Sequence, residues 1–282
     1  MSNQTSKDLL RSWQESAPYW RQYSTLVRRL FEPITVELLK VAGIERAQSV
    51  LDVAGGAGEP SLTIARSLKE RGSVVFTDAV QEMVRTTRTE SKSEGLNNLQ
   101  FIQCVGEGLP FRAQSFDAVV SRLGVMLFSD PAASIAEMLR VLKPDGRVAL
   151  AVWHTQNSNP FFYVVANIVA RYVESPPEDP DAPGAFRFAE RGKLDRLLVS
   201  AGANDVTSHL LKFTIEAKIT PREFWQLRSE LSETLRSKLA TLTQAQLVSL
   251  SGEVEKAGEA FYDRGSMRFP AEVLIVSGRK EL

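Results

Sequence analysis

The segment Val50-Leu51-Asp52-Val53-Ala54-Gly55-Gly56-Ala57-Gly58-Glu59-Pro60 constrains this chain more than any other. It reads as a buried strand running into a glycine-rich turn and then into a helix that starts near Glu59. Glycines at a strand-to-helix corner let a ligand approach the main chain closely, and the helix N-terminus offers free N–H groups. The turn by itself suits a nucleotide-like ligand of unspecified kind. Asp52, inside the strand, narrows that choice, because a fixed negative charge there repels a pyrophosphate and suits a cationic group.

Around this corner short apolar runs alternate with helical stretches. Strands are expected at Ser49–Val53, Ser73–Thr77, Leu99–Cys104, Phe116–Ser121 and Arg147–Val152, with helices around Pro60–Lys69, Glu82–Ser93 and Ala132–Leu142. That rhythm argues a parallel sheet covered on both faces. Two more strands, Val206–Phe213 and Ala271–Ser277, bring the count to seven and are expected to form an antiparallel pair at one edge. Pro144-Asp145-Gly146 reads as the turn that launches the fifth strand. Residues from about Asp8 to Val41 read as helical, with Pro18 and Pro33 breaking or restarting them. After Trp153 comes a stretch rich in proline and aromatics, including Pro176-Pro177-Glu178. A short helix then ends at Gly202, and a helical insertion over about Pro221 to Ala260 follows, with Thr220 as its N-cap.

Bulk properties exclude several function classes. Lys+Arg 34 balances Asp+Glu 34, and no basic run offers itself to a phosphate backbone, so no nucleic-acid partner is expected. Cys104 is the single cysteine, and His154 and His209 stand far apart, so neither a disulfide nor a metal site is expected. No apolar run approaches the ~20 residues of a membrane span, and Met1 to Arg11 is polar, unlike a signal peptide. The chain reads as soluble and cytoplasmic.

Two ligands commonly occupy the carboxyl ends of such strands, a dinucleotide and S-adenosylmethionine. A dinucleotide site needs Gly-x-Gly-x-x-Gly/Ala, whereas Gly56-Ala57-Gly58-Glu59-Pro60-Ser61 has serine third and a carboxylate where the diphosphate would sit. The run Asp52 to Gly58 resembles motif I of the class I S-adenosylmethionine-dependent methyltransferases, with Ala54 in place of the first glycine. Val74-Val75-Phe76-Thr77-Asp78 looks like that family's second strand with its terminal acid. Gly106-Glu107-Gly108-Leu109-Pro110-Phe111 with Ser115 to Ser121 resembles its adenine-side loop and fourth strand. Leu142 to Arg147 resembles the turn before its fifth strand. The likeness covers roughly Val50 to Val152 and is closest to the UbiE/COQ5-like small-molecule branch.

The resemblance implies a doubly wound α/β fold, with a seven-stranded, mostly parallel, Rossmann-like sheet. It implies S-adenosyl-L-methionine as cofactor and S-adenosyl-L-homocysteine as product. It carries cofactor binding onto Asp52, Ala54, Gly55 and Gly56, onto Asp78, Ala79 and Met83, onto Gly106, Glu107 and Gly108, and onto Ser121 and Leu123. Asp78 would accept the ribose hydroxyls, and Asp52 would order the loop and favour the cofactor's cationic end. Many relatives have an Asp where this chain has Val105, so Glu107 or a carbonyl would have to serve the adenine edge.

The domain reading places an N-terminal helical lid at 1–45, the cofactor core at 46–155, and the completion of the sheet at 156–282. The last part includes a substrate-capping insertion at about 220–262. Aromatic residues concentrate in the parts flanking the core, which favours a small apolar or aromatic methyl acceptor, taken at an O, N or C atom. His154, just past the fifth strand, is the candidate catalytic base, and Tyr23, Arg28 and Arg122 are fallback candidates for orienting ligands. A non-catalytic binding relative and an NAD-dependent oxidoreductase are the alternatives, and assembly as a homodimer is left open.

Overall fold

A computed structural model describes residues 2–174 and 179–281; Pro176, Pro177 and Glu178 lie outside the described residues. Five strands, β1 (Ser49–Val53), β2 (Ser73–Asp78), β3 (Leu99–Gln103), β4 (Phe116–Arg122) and β5 (Leu142–Trp153), pair in parallel in the order β3-β2-β1-β4-β5. In β1 every residue from Val50 to Val53 is buried, as a strand covered on both faces requires. Two long strands complete the sheet. β6 (Ala203–Ala217) forms the edge and pairs with β8 (Ser266–Lys280), which runs antiparallel to both β6 and β5.

The sheet has eight strands rather than seven, because a two-residue β7 (Tyr262–Asp263) folds back on the start of β8. Pro144-Asp145-Gly146 makes a bulge within β5 instead of a turn ahead of it: Phe116 faces Leu142, yet Ala118 already faces Arg147. At that end of the sheet Asp117 accepts the N–H groups of Gln48 and Ser49 at 2.9 and 2.8 Å and the Lys143 ammonium at 2.7 Å. Burial alone would raise this carboxyl, but these donors outweigh it and hold it near 2. The starts of β1, β4 and β5 are thereby fixed to one another.

Helices α1 (Ser2–Gln22), α2 (Ser24–Leu30) and α3 (Glu32–Val41) precede the sheet. Pro33 restarts the helix at the first turn of α3, as expected, but Pro18 lies inside an unbroken α1. Its side is exposed while Ala17 beside it is buried, so packing of the opposite face holds the helix through the missing N–H, and the break falls at Tyr23. Between the strands run α4 (Ser61–Leu68), α5 (Gln81–Ser93), α6 (Pro131–Val141), α7 (Pro160–Val169) and α8 (Lys193–Ser200). The insertion before β7 is three helices, α9 (Pro221–Leu231), α10 (Glu233–Leu239) and α11 (Gln244–Gly258). Thr220 caps α9 in a capping box with Glu223. The apolar residues of the insertion, such as Leu227 and Leu250, join the same continuous core as the sheet.

The chain moves outward from β1 to β3, then returns to place β4 on the other side of β1. In open α/β sheets that reversal leaves a crevice at the carboxyl ends of the two strands, where ligands bind. Among the described residues, no helix is long and apolar enough to cross a membrane.

Candidate functional site

The glycine turn after β1 stands at this crevice. Ala54, Gly56 and Gly58 all have positive φ, and a Cβ on Gly55 would come within 2.4 Å of the Phe76 ring and 2.6 Å of Asp52. Gly55 is therefore required for space, whereas Gly56 and Gly58 are required for conformation. From the β4 side, Gly124 approaches so closely that its Cβ would lie 2.6 Å from Ser121 Oγ and 2.9 Å from the Ala54 side chain. The main chain here is a tight turn carrying only glycine and alanine.

Two carboxylates frame it. Asp52 is fully buried; Oδ2 accepts the Ser61 hydroxyl at 2.7 Å, and Oδ1 has no partner. Ser61, the residue that spoils a dinucleotide fingerprint, is thus the hydroxyl that fixes Asp52, and it also opens α4, two residues later than Glu59. Asp78 accepts the Gly56 N–H at 2.9 Å on Oδ2 and the Val80 N–H at 2.8 Å on Oδ1. Thr77 ties the two strand ends by donating to the Asp52 carbonyl at 2.8 Å. Burial pushes the Asp52 carboxyl up to about 7 against the Ser61 bond and the Arg122 charge, and pushes Asp78 up to about 6 against its main-chain donors. Both values describe carboxylates deprived of water and lacking a cation in contact.

Glu59 does not face an open turn. It is buried and ion-paired with Arg28 of α2 at 3.2 Å and Arg66 of α4 at 3.4 Å. Arg28 also pairs with Glu90 and, at 3.4 Å, with Glu94, both on α5 or its cap. Arg28 is accordingly a clamp between α2, the turn and α5. Tyr23 donates to Glu230 of α9 at 2.6 Å, and Arg122 donates to Thr35 Oγ1 at 2.9 Å and the Phe31 carbonyl at 3.4 Å. Burial lowers the Arg122 guanidinium, with Glu59 and Asp52 opposing that shift through their charge.

Met83 and Val80, just beyond Asp78, are buried beneath α1, against Ala17, Trp13 and Trp20. Trp20 Nε1 is sealed there without a partner. Ala79 is partly exposed, and its carbonyl accepts from the Gln103 side chain at 3.0 Å. Gly106 is buried against Phe128 and Ser134, and Gly108 has open space around it. Glu107 accepts the Asp130 N–H at 3.1 Å, at the start of α6, and Val105 is exposed. Ser121 is buried with an unpartnered Oγ, and Leu123, at positive φ, follows it and donates to the Ala151 carbonyl at 2.9 Å. The structure thus brings Asp52, Ala54, Gly55, Gly56, Asp78, Ser121 and Leu123 to the ends of β1, β2 and β4, with Met83 facing α1 and the 106–108 turn following β3.

His154 sits past β5. Its Nδ1 is 2.9 Å from Glu272 Oε2, and Lys212 lies 3.0 Å from the other carboxylate oxygen. Burial would raise the Glu272 carboxyl, but Lys212, His154 and Ser158 outweigh it and hold it near 2. A carboxylate on Nδ1 leaves Nε2 as the ring's free nitrogen. Beside it, Trp153 ends β5 in an aromatic group with Phe31, Phe161 and Phe162, with ring centroids 4.8 to 6.3 Å apart.

Sequence reasoning missed the Ser61–Asp52 bond, the Glu59 clamp and the position of Arg228, described below. Only the last carried a signal, in the spacing of α9.

The residues fit a ligand with a cation and hydroxyls. The buried Asp52 Oδ1 lacks a partner, the cradle at Gly55 admits no side chain, and the Asp78 oxygens, acceptors only, stand at the turn. Comparison with known proteins agrees. The ubiE/COQ5 methyltransferase family model matches residues 28–170. Ubiquinone/menaquinone biosynthesis C-methyltransferase UbiE of Escherichia coli K12 is 32% identical over 123 residues, 43% of this chain and 48% of the relative. The enzyme of the same name from Shigella boydii gives the same figures. The match therefore spans about half the length of the curated relatives. In fold, the chain is similar to phosphoethanolamine N-methyltransferase 2 of Haemonchus contortus (TM-score 0.57, 16% identity, 97% of this chain and 61% of that one). It is also similar to the YcgJ protein of Bacillus subtilis (0.55, 19%, 88% and 98%) and to the cyclase SpnF (0.55, 16%, 95% and 96%). With the family model covering half of the chain, the glycine turn included, this protein belongs to the ubiE/COQ5 methyltransferase family.

Proposed function

We propose that this protein transfers a methyl group from S-adenosylmethionine to a carbon, oxygen or nitrogen of a small apolar or aromatic molecule. The observation that carries the reading is the presence of two desolvated carboxylates, Asp52 and Asp78, on the neighbouring strands β1 and β2 beside the glycine turn, in a chain of this family. When bound, S-adenosylmethionine supplies a methyl group on a sulfonium leaving group, already activated, and becomes S-adenosylhomocysteine.

The chain's own residues bind, orient and exclude water. Asp78 accepts ribose hydroxyls through lone pairs not used by Gly56 and Val80. Asp52 favours the cationic end by charge. Ala54, Gly55 and Gly56 let the methionine part lie on the main chain, and Ser121 and Leu123 close it from β4. Met83 and Ala79 border the adenine, with Gly106, Glu107 and Gly108 on its other side. Residues 1–45 serve as the lid, and the insertion at 220–262 caps the acceptor. Orientation of acceptor and methyl group contributes up to ~7–11 kcal/mol in reactions of this kind. His154, oriented by Glu272, is the proposed base for an acceptor that must lose a proton.

The fold also serves a protein named as a cyclase, so turnover is the decisive measurement. Titration of S-adenosylmethionine by calorimetry should show binding that Asp78→Ala weakens at least about ten-fold, the scale of a lost charge-assisted hydrogen bond. S-adenosylhomocysteine should accumulate when a panel of reduced quinones and phenols is added. Unchanged affinity in Asp78→Ala would remove the ribose assignment; cofactor binding without turnover on any acceptor would favour a binding protein.

A further inference from the structure

Helix α9 carries a cation where its own periodicity places an apolar residue. Phe224, Leu227 and Leu231 form its buried stripe, and Arg228 falls within that stripe, one turn after Phe224. Its guanidinium carbon stands 4.8 Å from the ring centroid of Phe161 and 4.7 Å from that of Phe162. Nε is sealed from solvent with no partner, and no hydrogen bond or ion pair joins the side chain to any described residue. Burial lowers the guanidinium to about 10, with no carboxylate nearby to oppose the shift. The residue is only half-buried: Nε is sealed against the two rings, while the terminal nitrogens are not sealed and have no protein partner.

Its ring partners connect it to the ends of β5 and β4, which border the crevice. Phe162 packs on Trp153, the last residue of β5, at 4.8 Å, and Phe31 meets both Trp153 and Phe161. The Phe31 carbonyl in turn holds Arg122, the last residue of β4. We infer that Arg228 anchors a carboxylate on the methyl acceptor, and that the acceptor is an aromatic acid whose ring rests beside Phe162, the partly exposed member of the pair. The inference rests on the acceptor site proposed above. A guanidinium held over two rings by its carbon and Nε keeps its terminal N–H groups for a planar anion, which the fork geometry of a carboxylate matches and an ammonium does not.

The test uses the full chain saturated with S-adenosylhomocysteine and a matched pair of probes, 1-naphthoate and its uncharged isostere 1-naphthamide, titrated by calorimetry. The native protein should prefer naphthoate by about ten-fold or more, as one charge-assisted contact in a partly desolvated site provides. Arg228→Gln should abolish the preference, Arg228→Lys should retain a fraction of it, and both should bind S-adenosylhomocysteine as the native chain does. Thermal melts accompany each variant, and Arg228→Met should melt no lower than the native protein, because methionine keeps the packing on the two rings and removes a sealed, unpartnered Nε. Equal affinity for the two probes, no binding of either, a preference that survives Arg228→Gln, or a lower melting temperature in Arg228→Met would each overturn the assignment. If the native chain fails to bind S-adenosylhomocysteine, the methyl-transfer reading falls, while the naphthoate preference, measured without it, still decides the role of Arg228.

Discussion

Asp78 holds the main-chain N–H of Gly56 at 2.9 Å, so the acidic end of β2 and the glycine turn after β1 move as one unit. Its other oxygen holds Val80, which lies under α1. One carboxylate thereby connects the turn that would cradle the methionine part to the helix that covers the adenosyl part.

The raised carboxyls predict an inverse pH dependence of free and ligated protein. Asp52 and Asp78 sit near 7 and 6 when folded, against an ordinary 3.8. The folded chain holds these protons better than the unfolded one, so their stabilising effect is complete below about 4 and is lost as pH rises through 6 to 7. The melting temperature of the ligand-free protein should fall between pH 5 and 8. The increment given by S-adenosylmethionine should grow over the same interval, because the cation prefers ionised carboxylates. A flat increment across that range in differential scanning fluorimetry would show that neither group meets the cation.

Gly55 and Gly108 should respond differently to alanine. A Cβ at Gly55 meets Phe76 and Asp52 well inside contact distance, and one at Gly108 meets nothing within 4 Å. Overpacking of this kind costs about 1–3 kcal/mol, and the strand end must shift to relieve it. Gly55→Ala should lower stability in urea titrations and weaken cofactor binding, while Gly108→Ala should leave the urea midpoint in place.

Arg28→Ala removes a cation shared by Glu59, Glu90 and Glu94. Arg66 still reaches Glu59 at 3.4 Å, so the loss should fall below the ~3–5 kcal/mol of a fully broken buried pair. A decrease of about 1–3 kcal/mol is expected, together with faster proteolysis of the N-terminal helices. Arg28→Lys should recover part of it.

His154 and Glu272 can be separated by kinetics. If His154 accepts the acceptor's proton, His154→Gln should reduce kcat by at least about a hundred-fold with little change in KM. Glu272→Gln, which keeps the ring but loosens its orientation, should reduce kcat less. Equal, small losses in both variants would mark the pair as a tie between β5 and β8.

The parts of the sequence that were legible are those where one physical requirement acts alone. β1 has the bounds its apolar run indicates, because a strand buried on both faces tolerates few other residues. The glycine turn and Asp78 were readable because close approach and charge restrict the residue types allowed. Pro18 was misleading: its effect on an isolated helix is clear, but the opposing face of α1, with Ala17 buried, overrides it. Glu59 read as a charge repelling phosphate, since nothing local announces that Arg28, thirty-one positions earlier, returns to meet it. Arg228 left a trace, standing at the buried spacing of Phe224 and Leu231, yet charged residues at such positions usually lift their heads to solvent. Only the fold shows that this one lies over two rings.

Arg236 of α10 donates to Ser16 of α1 at 2.6 Å, joining segments 220 residues apart. Met83 lies beneath the same helix, so this bond ties the cover of Met83 to the insertion that precedes β7. With α1 as the proposed lid, opening it parts that bond, and the pace of exchange at the crevice follows the strength of the latch. Weakening the latch by Ser16→Ala should quicken product exit without touching a group that meets the methyl donor.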